Sequence, residues 1–545
     1  GATGTNLGTG MSLAGASTGT TYYAYVTGDC GAPSEVSLAL TEDGPIENTT
    51  SGRFFCSIQA AISHTSTLVT HTLEVSSGTY DEQVLVNKGV TIKGVGVTQP
   101  IVDFTGTVSG KPTLFDVSAD GVTIENMRFN TDLAKLKSAI LVSGASIDNI
   151  TVQDNVIDAY GTPLAGNYTD RNAISINFSG NTNYRVASGG VDNVLVTGNT
   201  VNGTLPLSFF RAGVCADEVG GTFSNNTMTS INQDIQVRFG SNGDINVTNN
   251  TLNGGGVELA EHNAGAGVIN VTDNIFDGTI ANVAVTPRTA VLRLKNNQQN
   301  KVTNVSGNTL SNHRFGLSLE NYKNVTIDNN TFTPEAGSTD FVHIGVNTKS
   351  ISTNSNTIVQ TQVNGVFTNN TFNGSGVTGG TGIGFYNHDS DAASFGTFVI
   401  GSAGNENDFG ADIAQFIRLD DQTGSSDVAL TPTDYDNGGG WTTTMACWNQ
   451  NYDIRNNRFN VGAGLQLPSA MNFIQRTALE GALFHKPDAS CTGLLTYFLP
   501  VHNLTQNIRY YTIQEAVTAA NPNDVIEYSE WTYNERVTIN KSLTL

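Results

Sequence analysis

The chain has 545 residues and a formal net charge of −22, with 26 basic against 48 acidic side chains. This excess of negative charge argues against nucleic acid and anionic membrane surfaces as partners. No stretch approaches the roughly 18 consecutive apolar residues of a transmembrane helix, so we expect no membrane insertion. Only 14% of the residues are charged, and Gly, Asn, Thr and Ser are abundant. Because these four residue types are poor helix formers, the composition favours short strands joined by tight turns.

The first 50 residues differ in character from the rest of the chain. Residues 1–20 are rich in Gly, Thr, Ala and Ser, which predicts a linker, and residues 22–40 alternate as a strand does. The chain begins Gly-Ala-Thr without a Met or a signal peptide, which indicates a processed or excised boundary. We predict that residues 1–50 are a linker and the end of an upstream β-rich segment, and that the chain is part of a longer protein.

A short amphipathic helix is predicted at the start of the main domain. Residues 54–62 read Phe-Phe-Cys-Ser-Ile-Gln-Ala-Ala-Ile, and Ser57 stands where a helix N-cap would. A solenoid needs a lid over its first coil, because an open end exposes apolar side chains and unpaired backbone groups. We therefore expect this helix to cap a solenoid domain that covers residues 51–475.

The main domain contains ten copies of a short phrase, in which an apolar–polar alternation leads to an Asn and then to apolar residues. Residues 244–252, for example, read Asp-Ile-Asn-Val-Thr-Asn-Asn-Thr-Leu. The shared positions are Asn126, Asn155, Asn199, Asn226, Asn250, Asn274, Asn308, Asn330, Asn370 and Asn457. The shortest spacings, 22 to 24 residues, are enough for one circuit of a three-sided prism at about 3.3 Å per residue. The pattern predicts a parallel β-helix, in which each coil pairs with its neighbours.

The repeated Asn is predicted to have a structural role and no catalytic one. An Asn after a strand tolerates left-handed backbone geometry, so we expect it to turn the chain. Its amide carries donors and an acceptor, so Asn side chains in successive coils can form a hydrogen-bonded ladder. We assign this structural ladder to Asn155, Asn199, Asn226, Asn250, Asn274, Asn308, Asn330 and Asn370.

The opening of the main domain recurs late in the chain. Residues 510–517 read Tyr-Tyr-Thr-Ile-Gln-Glu-Ala-Val, and a second short helix is predicted between Thr512 and Ala519. Each helix precedes a matching phrase, Gly-Thr-Tyr-Asp-Glu from Gly78 and Trp-Thr-Tyr-Asn-Glu from Trp531. We predict that residues 476–545 are a connector and the first coil of a second β-helix-like repeat, and that the natural protein continues in tandem modules.

The repeated phrase resembles the PbH1-type repeat of the pectin-lyase-like superfamily. This resemblance implies an all-β, right-handed parallel β-helix with an N-terminal helical cap, a fold that hosts lyases, hydrolases, epimerases, adhesins and passive stalks. The tandem openings are also similar to those of large adhesins of Bacteroidetes-type bacteria, which the type IX secretion system exports. That resemblance implies a secreted or cell-surface location and a rigid stalk or adhesin module. Its partners would be surface polysaccharide or the secretion and anchoring machinery.

A polysaccharide-active enzyme is the alternative on the same fold. The opening at Gly78 resembles that of pectin methylesterases, but the catalytic Gln-Asp-Thr-Leu segment and the later Arg-Pro-Trp of that family are missing. The nearest match is Gln-Asp-Ile-Gln at residues 233–236, followed by Arg238. The simpler interpretation is a polar strand face that points outward. We therefore assign no catalytic residue.

Loops in the second half of the chain carry two features that are typical of binding sites. Acidic loops bind Ca²⁺ through oxygen ligands, and Ca²⁺ is the only cofactor that we consider. The candidate ligands are Asp420, Asp421, Asp427, Asp434 and Asp436. Aromatic side chains stack on the apolar face of a sugar. The candidate carbohydrate-binding residues are Tyr435, Trp441 and Trp448. Solvated acids and ordinary core packing are the simpler alternatives.

Five cysteines are present, and none belongs to a C-x-x-C pair of a zinc or redox motif. Cys30 with Cys56, and Cys447 with Cys491, are the pairs closest in sequence. Either pair would form a disulfide in an oxidising compartment, and isolated buried thiols are the alternative.

Overall fold

A computed structural model describes residues 21–26, 34–39, 44–144, 147–162, 171–177, 190–203, 210–229, 233–238, 243–260, 267–279, 290–295, 301–347, 363–386, 395–420, 451–484 and 494–545. Most of these residues wind into a parallel β-helix, as predicted. Each coil contributes one strand to each of three long sheets, of 13, 14 and 14 strands, which we number one to three. The pairing is parallel except at the ends of sheets two and three.

The strands follow one another along each sheet in the order of the coils. Sheet one contains Val84–Val86, Thr113–Val117, Ser138–Val142, Asn172–Ile176, Ala212–Asp217, Gln233–Arg238, Val257–Ala260, Leu292–Lys295, Phe315–Glu320, Val342–Asn347, Gly379–Tyr386, Ile413–Asp420 and Leu483–Phe484. Sheet two contains Arg53–Phe55, Ile46–Asn48, Thr72–Ser76, Thr91–Val95, Thr123–Glu125, Thr151–Gln153, Val191–Thr197, Val219–Ser224, Ile245–Thr248, Val268–Thr272, Val302–Ser306, Val325–Asp328, Val363–Thr368 and Phe395–Ile400. Sheet three contains Thr79–Tyr80, Ile101–Asp103, Arg128–Asp132, Val156–Tyr160, Thr200–Asn202, Thr227–Thr229, Thr251–Asn253, Ile275–Asp277, Thr309–His313, Thr331–Pro334, Thr371–Phe372, Asp408–Phe409, Arg458–Asn460 and Leu465–Gln466.

Three small sheets lie outside this prism. They are the antiparallel pair Thr21–Val26 and Ser34–Ala39, the parallel pair Tyr452–Asp453 and Leu495–Thr496, and the antiparallel set Ile508–Tyr510, Val501–Asn503 and Ile526–Tyr528. The helices are α1 (Ile58–Ser63), a 3₁₀ turn at Pro468–Ala470, α2 (Phe473–Gly481) and α3 (Ile513–Ala519). Among the described residues, no helix has the length and apolar character needed to cross a membrane.

The core is a column of apolar side chains that stack from coil to coil. In sheet two, Val152 pairs in register with Val196, which pairs with Phe223, and all three are fully buried. Their neighbours along each strand point outward, because side chains alternate between the two faces. Toward the C-terminal end the column becomes aromatic, with Phe372 stacked 4.7 Å from Phe409, measured between ring centroids. Continuous pairing and stacking join the coils into one unit.

Helix α1 closes the first coil, as predicted. Ser57 is its N-cap, and the Ser57 side chain accepts a hydrogen bond from the backbone N–H of Ala60. Ile58 and Ile62 of α1 are fully buried in the column. Ahead of the helix, Ile46–Asn48 pairs antiparallel with Thr72–Ser76 and extends sheet two by a strand. Helix α1 and the hairpin formed by Ile46–Asn48 and Arg53–Phe55 together cover the end of the apolar column.

The thiols of Cys56 and Cys215 are free, the first exposed and the second buried. The other three cysteines lie outside the described residues.

Candidate functional site

The asparagine ladder lies at the corner between sheets two and three. The backbone N–H and the side-chain Nδ2 of Asn226 both donate to Oδ1 of Asn250, at 2.9 and 3.0 Å. Asn250 donates to Oδ1 of Asn274 in the same way, and its Nδ2 also donates to the carbonyl oxygen of Phe223. All three asparagines are at most 1% exposed. Each step therefore joins two coils through both backbone and side chain.

The eight asparagines that the sequence pattern assigned to the ladder lie in one hydrogen-bonded column, from Asn155 to Asn370. Two more follow, since Asn370 donates to Asn407 and Asn407 donates to Asn457. Asn407 was missed because no alternating strand directly precedes it. Asn126 is outside the column, and Met127 takes the ladder position, with its backbone N–H bonded to Oδ1 of Asn155.

From Asn155 to Asn370, the sharp turn is made by the residue before each ladder asparagine, and not by the ladder asparagine itself. Positive φ values occur at Asp154, Asn225 and Asn249, each near 55°. Asn126 also has a φ of 55°, and it aligns with these turn residues. Left-handed geometry favours Asn, Asp and Gly, which explains why doublets such as Asn249-Asn250 are common in this chain.

The outer face of sheet one carries a cluster of buried polar residues. In the register of this sheet, Gln236 pairs with Glu258 and Glu258 pairs with Arg293, while Lys295 pairs with Glu320. These positions flank inward residues of the core, so their side chains point away from the column. They are nevertheless at most 8% exposed. We call six residues the charged face, and they are Asp217, Arg238, Glu258, Arg293, Lys295 and Glu320.

Ion pairs connect the members of the charged face in two groups, across five neighbouring strands. Nε and Nη2 of Arg293 donate to the two carboxylate oxygens of Glu320, at 2.6 and 3.2 Å. Nη1 of Arg293 lies 3.6 Å from a carboxylate oxygen of Glu258. The ammonium of Lys295 lies 3.2 Å from the same Glu258 carboxylate. One strand earlier, Arg238 forms a second two-pronged pair with Asp217. The charged face thus contains three basic and three acidic groups, of which all but Arg238 are buried.

Burial and neighbouring charges set the protonation states of this face. Burial alone would raise the pKa of Glu258, but Lys295 and Arg293 lower it well below its usual value, so the group is a carboxylate at neutral pH. Burial raises the pKa of the Cys215 thiol to about 12, which leaves it protonated and unreactive. Asp234 is also buried and its pKa is raised by burial, although the backbone N–H groups of Gly254 and Gly256 donate to it.

The charged face has the functional groups that recognise polar ligands rather than apolar ones. A lysine ammonium has three donors, and Glu258 is the acceptor that the structure gives to Lys295 among the described residues. The guanidinium of Arg293 matches carboxylates in two-pronged geometry. Arg238 of the methylesterase-like segment belongs to the charged face, and Gln236 of the same segment donates a hydrogen bond to Glu258.

All but one of the candidate cation-binding and carbohydrate-binding residues lie outside the described residues. Asp420 ends a strand of sheet one in register with Tyr386, and its side chain is not described. The remaining candidate cation ligands, Asp421, Asp427, Asp434 and Asp436, lie outside the described residues. The same holds for Tyr435, Trp441 and Trp448. Among the described residues, no group of three or more His, Cys, Asp or Glu side chains is arranged to hold a metal ion.

No protein-family model and no curated protein matches the chain. Among solved structures, it is similar to an alginate lyase from Paenibacillus sp. str. FPU-7, with 9% identity, a TM-score of 0.31, and coverage of 63% of this chain and 96% of the lyase. It is also similar to the Streptococcus pneumoniae surface protein and adhesin PfbA, with 12% identity, a TM-score of 0.28, and coverage of 64% and 91%. A pectin methylesterase matches at 13% identity and a TM-score of 0.17, with coverage of 73% and 97%. At these scores no function is transferred from the three proteins.

Proposed function

We propose that this protein is a rigid module of a secreted or cell-surface protein, acting as a stalk or adhesin that presents a carbohydrate-binding surface. The observation that supports the stalk role is the asparagine ladder, which joins consecutive coils without interruption from Asn155 to Asn457. Its binding partners would be surface polysaccharide, or the secretion and anchoring machinery, with the type IX secretion system as the export route.

Rigidity is the property that a stalk needs, and the ladder supplies it at every rung. Bending the rod would lengthen the bonds between neighbouring asparagines, and their buried amides have no water to replace a lost partner. A buried donor without a partner costs about 1–3 kcal/mol. Because each rung holds both an N–H and an Nδ2 donor, bending anywhere along the column is opposed.

The rigidity can be measured with pairs of spin labels on the exposed face of sheet three. Arg128 and Arg458 are ten strand spacings apart along that sheet, roughly 48 Å at about 4.8 Å per strand. Ile275 lies midway, roughly 24 Å from Arg128 on the same count. A stalk predicts narrow distance distributions for both pairs. A broad distribution for the long pair, with a narrow one for the short pair, would overturn the proposal.

Binding is tested separately, with an immobilised panel of neutral and acidic polysaccharides, with and without added Ca²⁺. The proposal predicts binding to at least one polysaccharide without new reducing ends and without unsaturated uronate absorbance. Turnover of a bound polysaccharide would contradict a purely adhesive role.

The charged face supports a second candidate function, an enzyme that acts on polysaccharide. A buried lysine beside a carboxylate and an arginine places proton-transfer and anion-binding groups next to one another on the outer face of sheet one. This candidate predicts turnover that is lost in Lys295→Met and Glu258→Gln and kept in Arg128→Met, which alters an exposed residue of sheet three. If no polysaccharide is turned over, or if all three variants retain full activity, the charged face is not an active site.

A further inference from the structure

Two parts of the chain form the same cap. In the first, the backbone N–H groups of Ile58 and Gln59, at the start of α1, donate to the carboxylate of Glu82, at 2.8 and 2.9 Å. The Gln59 side chain then exchanges two hydrogen bonds with the backbone of Leu85. The ammonium of Lys88 donates to two backbone carbonyl oxygens just beyond the end of the helix.

The second cap repeats these contacts with the same types of residue. The N–H groups of Ile513 and Gln514, at the start of α3, donate to Glu535, again at 2.8 and 2.9 Å. Gln514 exchanges two hydrogen bonds with the backbone of Thr538. Lys541 donates to two carbonyl oxygens at the end of the helix. The residues that hold the cap together are thus the same in both copies.

The two caps differ on the side that faces away from their own cores. Alignment of the shared contacts places Trp531 opposite Gly78, and Tyr511 opposite the exposed Cys56. Large aromatic side chains therefore replace small residues in the second copy alone. These substitutions have no role in the cap's internal hydrogen bonds, so the reason for them lies outside the cap.

Trp531 packs against the end of the first β-helix. Its ring lies 6.4 Å from Phe473 of α2, 5.9 Å from Tyr497 and 6.1 Å from Phe498, measured between centroids. Tyr497 and Phe498 belong to the main apolar column, and Trp531 is partly buried against that column. Helix α2 and these rings cover the C-terminal end of the column, and Trp531 completes the cover.

Polar groups surround this aromatic contact. The guanidinium of Arg476 in α2 stacks 4.1 Å above the ring of Phe498 and faces Glu530 of the second cap. Burial raises the pKa of Tyr511, and the neighbouring Glu480 of α2 raises it further. The contact between α2 and the second cap, which we call the joint, therefore combines aromatic packing with neighbouring polar and charged groups.

The second cap has a small core among the described residues. Its buried residues are Val501, Ala516, Val517, Ala520 and Ile526. Within these residues, so small a core gains stability by packing against the larger column of the first β-helix. The chain between the two cores is also short, since only Leu499 and Pro500 separate the buried Phe498 from the buried Val501. A stiff, short connection and a small core both favour docking.

We infer that Trp531 is an inter-module lock, which docks the cap of the second β-helix module onto the end of the first, so that the two turn as one body. At this position the second cap, which docks, has Trp, whereas the first cap has Gly. This inference concerns the joint between modules, and it holds whether or not the rod binds carbohydrate.

Amide hydrogen exchange of the full chain tests the lock in the variant Trp531→Gly, which installs the residue of the first cap. The first cap folds with Gly at this position, so the substitution is compatible with the cap itself. Loss of docking predicts about tenfold to hundredfold faster exchange in residues 501–528, because the small core opens when its support is removed. Residues 46–88, the first cap, should exchange as in the wild type.

Two further variants make the result specific. Trp531→Phe keeps an aromatic ring at the joint and should restore most of the protection. Tyr528→Ala removes an aromatic residue that is 50% exposed on the same cap and should change exchange little. Unchanged protection in Trp531→Gly, or an equal rise in Tyr528→Ala, would overturn the inference.

Discussion

Replacing Asn250 by Ala removes one rung of the ladder while leaving the apolar column intact. The side chain accepts from the N–H and the Nδ2 of Asn226, and it donates to the carbonyl oxygen of Phe223 and to Oδ1 of Asn274. Four buried hydrogen bonds disappear, and the N–H of Asn226 loses its acceptor. At about 1 kcal/mol for each bond, the expected cost is about 4 kcal/mol.

The measurement is chemical unfolding followed by circular dichroism, combined with amide exchange to localise the effect. We expect a lower denaturation midpoint and faster exchange in residues 219–253, where the broken rung lies. The matched control is Asn253→Ala, an asparagine of the neighbouring strand that is only half-buried and outside the ladder. If both variants lose the same stability, or if Asn250→Ala loses less than about 1 kcal/mol, the ladder is not what holds the coils together.

Three other substitutions or conditions probe separate parts of the fold. His313 and His343 are fully buried with an Nε2 to Nδ1 distance of 2.9 Å, and burial lowers the pKa of His313 to about 3 and that of His343 well below its usual value. As the pH falls, the two histidines bind protons in the unfolded chain before they do so in the folded protein. The free energy of unfolding should therefore fall below about pH 6.5, by about 1.4 kcal/mol per pH unit for each histidine. Melting curves between pH 7 and pH 5 should show this slope in the wild type and lose it when both residues are replaced by Phe, and equal slopes would contradict the assignment. Glu258→Ala removes the carboxylate that pairs with the buried Lys295 and should cost about 3–5 kcal/mol in chemical unfolding, and a loss below about 1 kcal/mol would indicate a solvated face. Gly256→Ala places a Cβ against the backbone carbonyl of Val291 at a φ of 89°, so we expect a lower melting temperature, and an unchanged one would show that the backbone relaxes there.

Much of the fold could be predicted from the sequence because each repeat shows the same local order of apolar residues, polar residues and Asn. The alternation before each Asn predicts a strand, and the apolar residue two positions after it predicts the next, as at Asn250 and Leu252. The same rule would have corrected one position. Asn126 stands three residues before Phe129, which places it at the turn and Met127 at the ladder.

Asn407 shows where local pattern is insufficient. It stands two residues before Phe409, as a ladder residue should, but the residues before it form a turn and a short bridge instead of an alternating strand. The strand of this coil in sheet two ends earlier, at Ile400. A search for Asn followed two residues later by a large apolar residue would have found it.

The charged face could not be predicted in the same way. Glu258, Arg293 and Glu320 are separated by 35 and 27 residues, and loops of different length lie between them. Which polar residues face each other depends on the register of strands in successive coils. An outward polar residue also gives no local sign that it will be buried. Only the three-dimensional arrangement distinguishes this buried patch from an ordinary solvated face.

Consecutive repeats stack in register along the β-helix, and engineered disulfides test this stacking most directly. Asn246 and Asn270 are paired, outward-facing residues of adjacent strands in sheet two. Parallel neighbours lie about 4.8 Å apart, within the range of a disulfide, whereas Asn304 is two strands from Asn246 and beyond that range. In a background without the native cysteines, cysteines at 246 and 270 should form a disulfide on mild oxidation, and cysteines at 246 and 304 should not. Failure of the first pair to form, or equal formation of the second, would contradict the stacked coils.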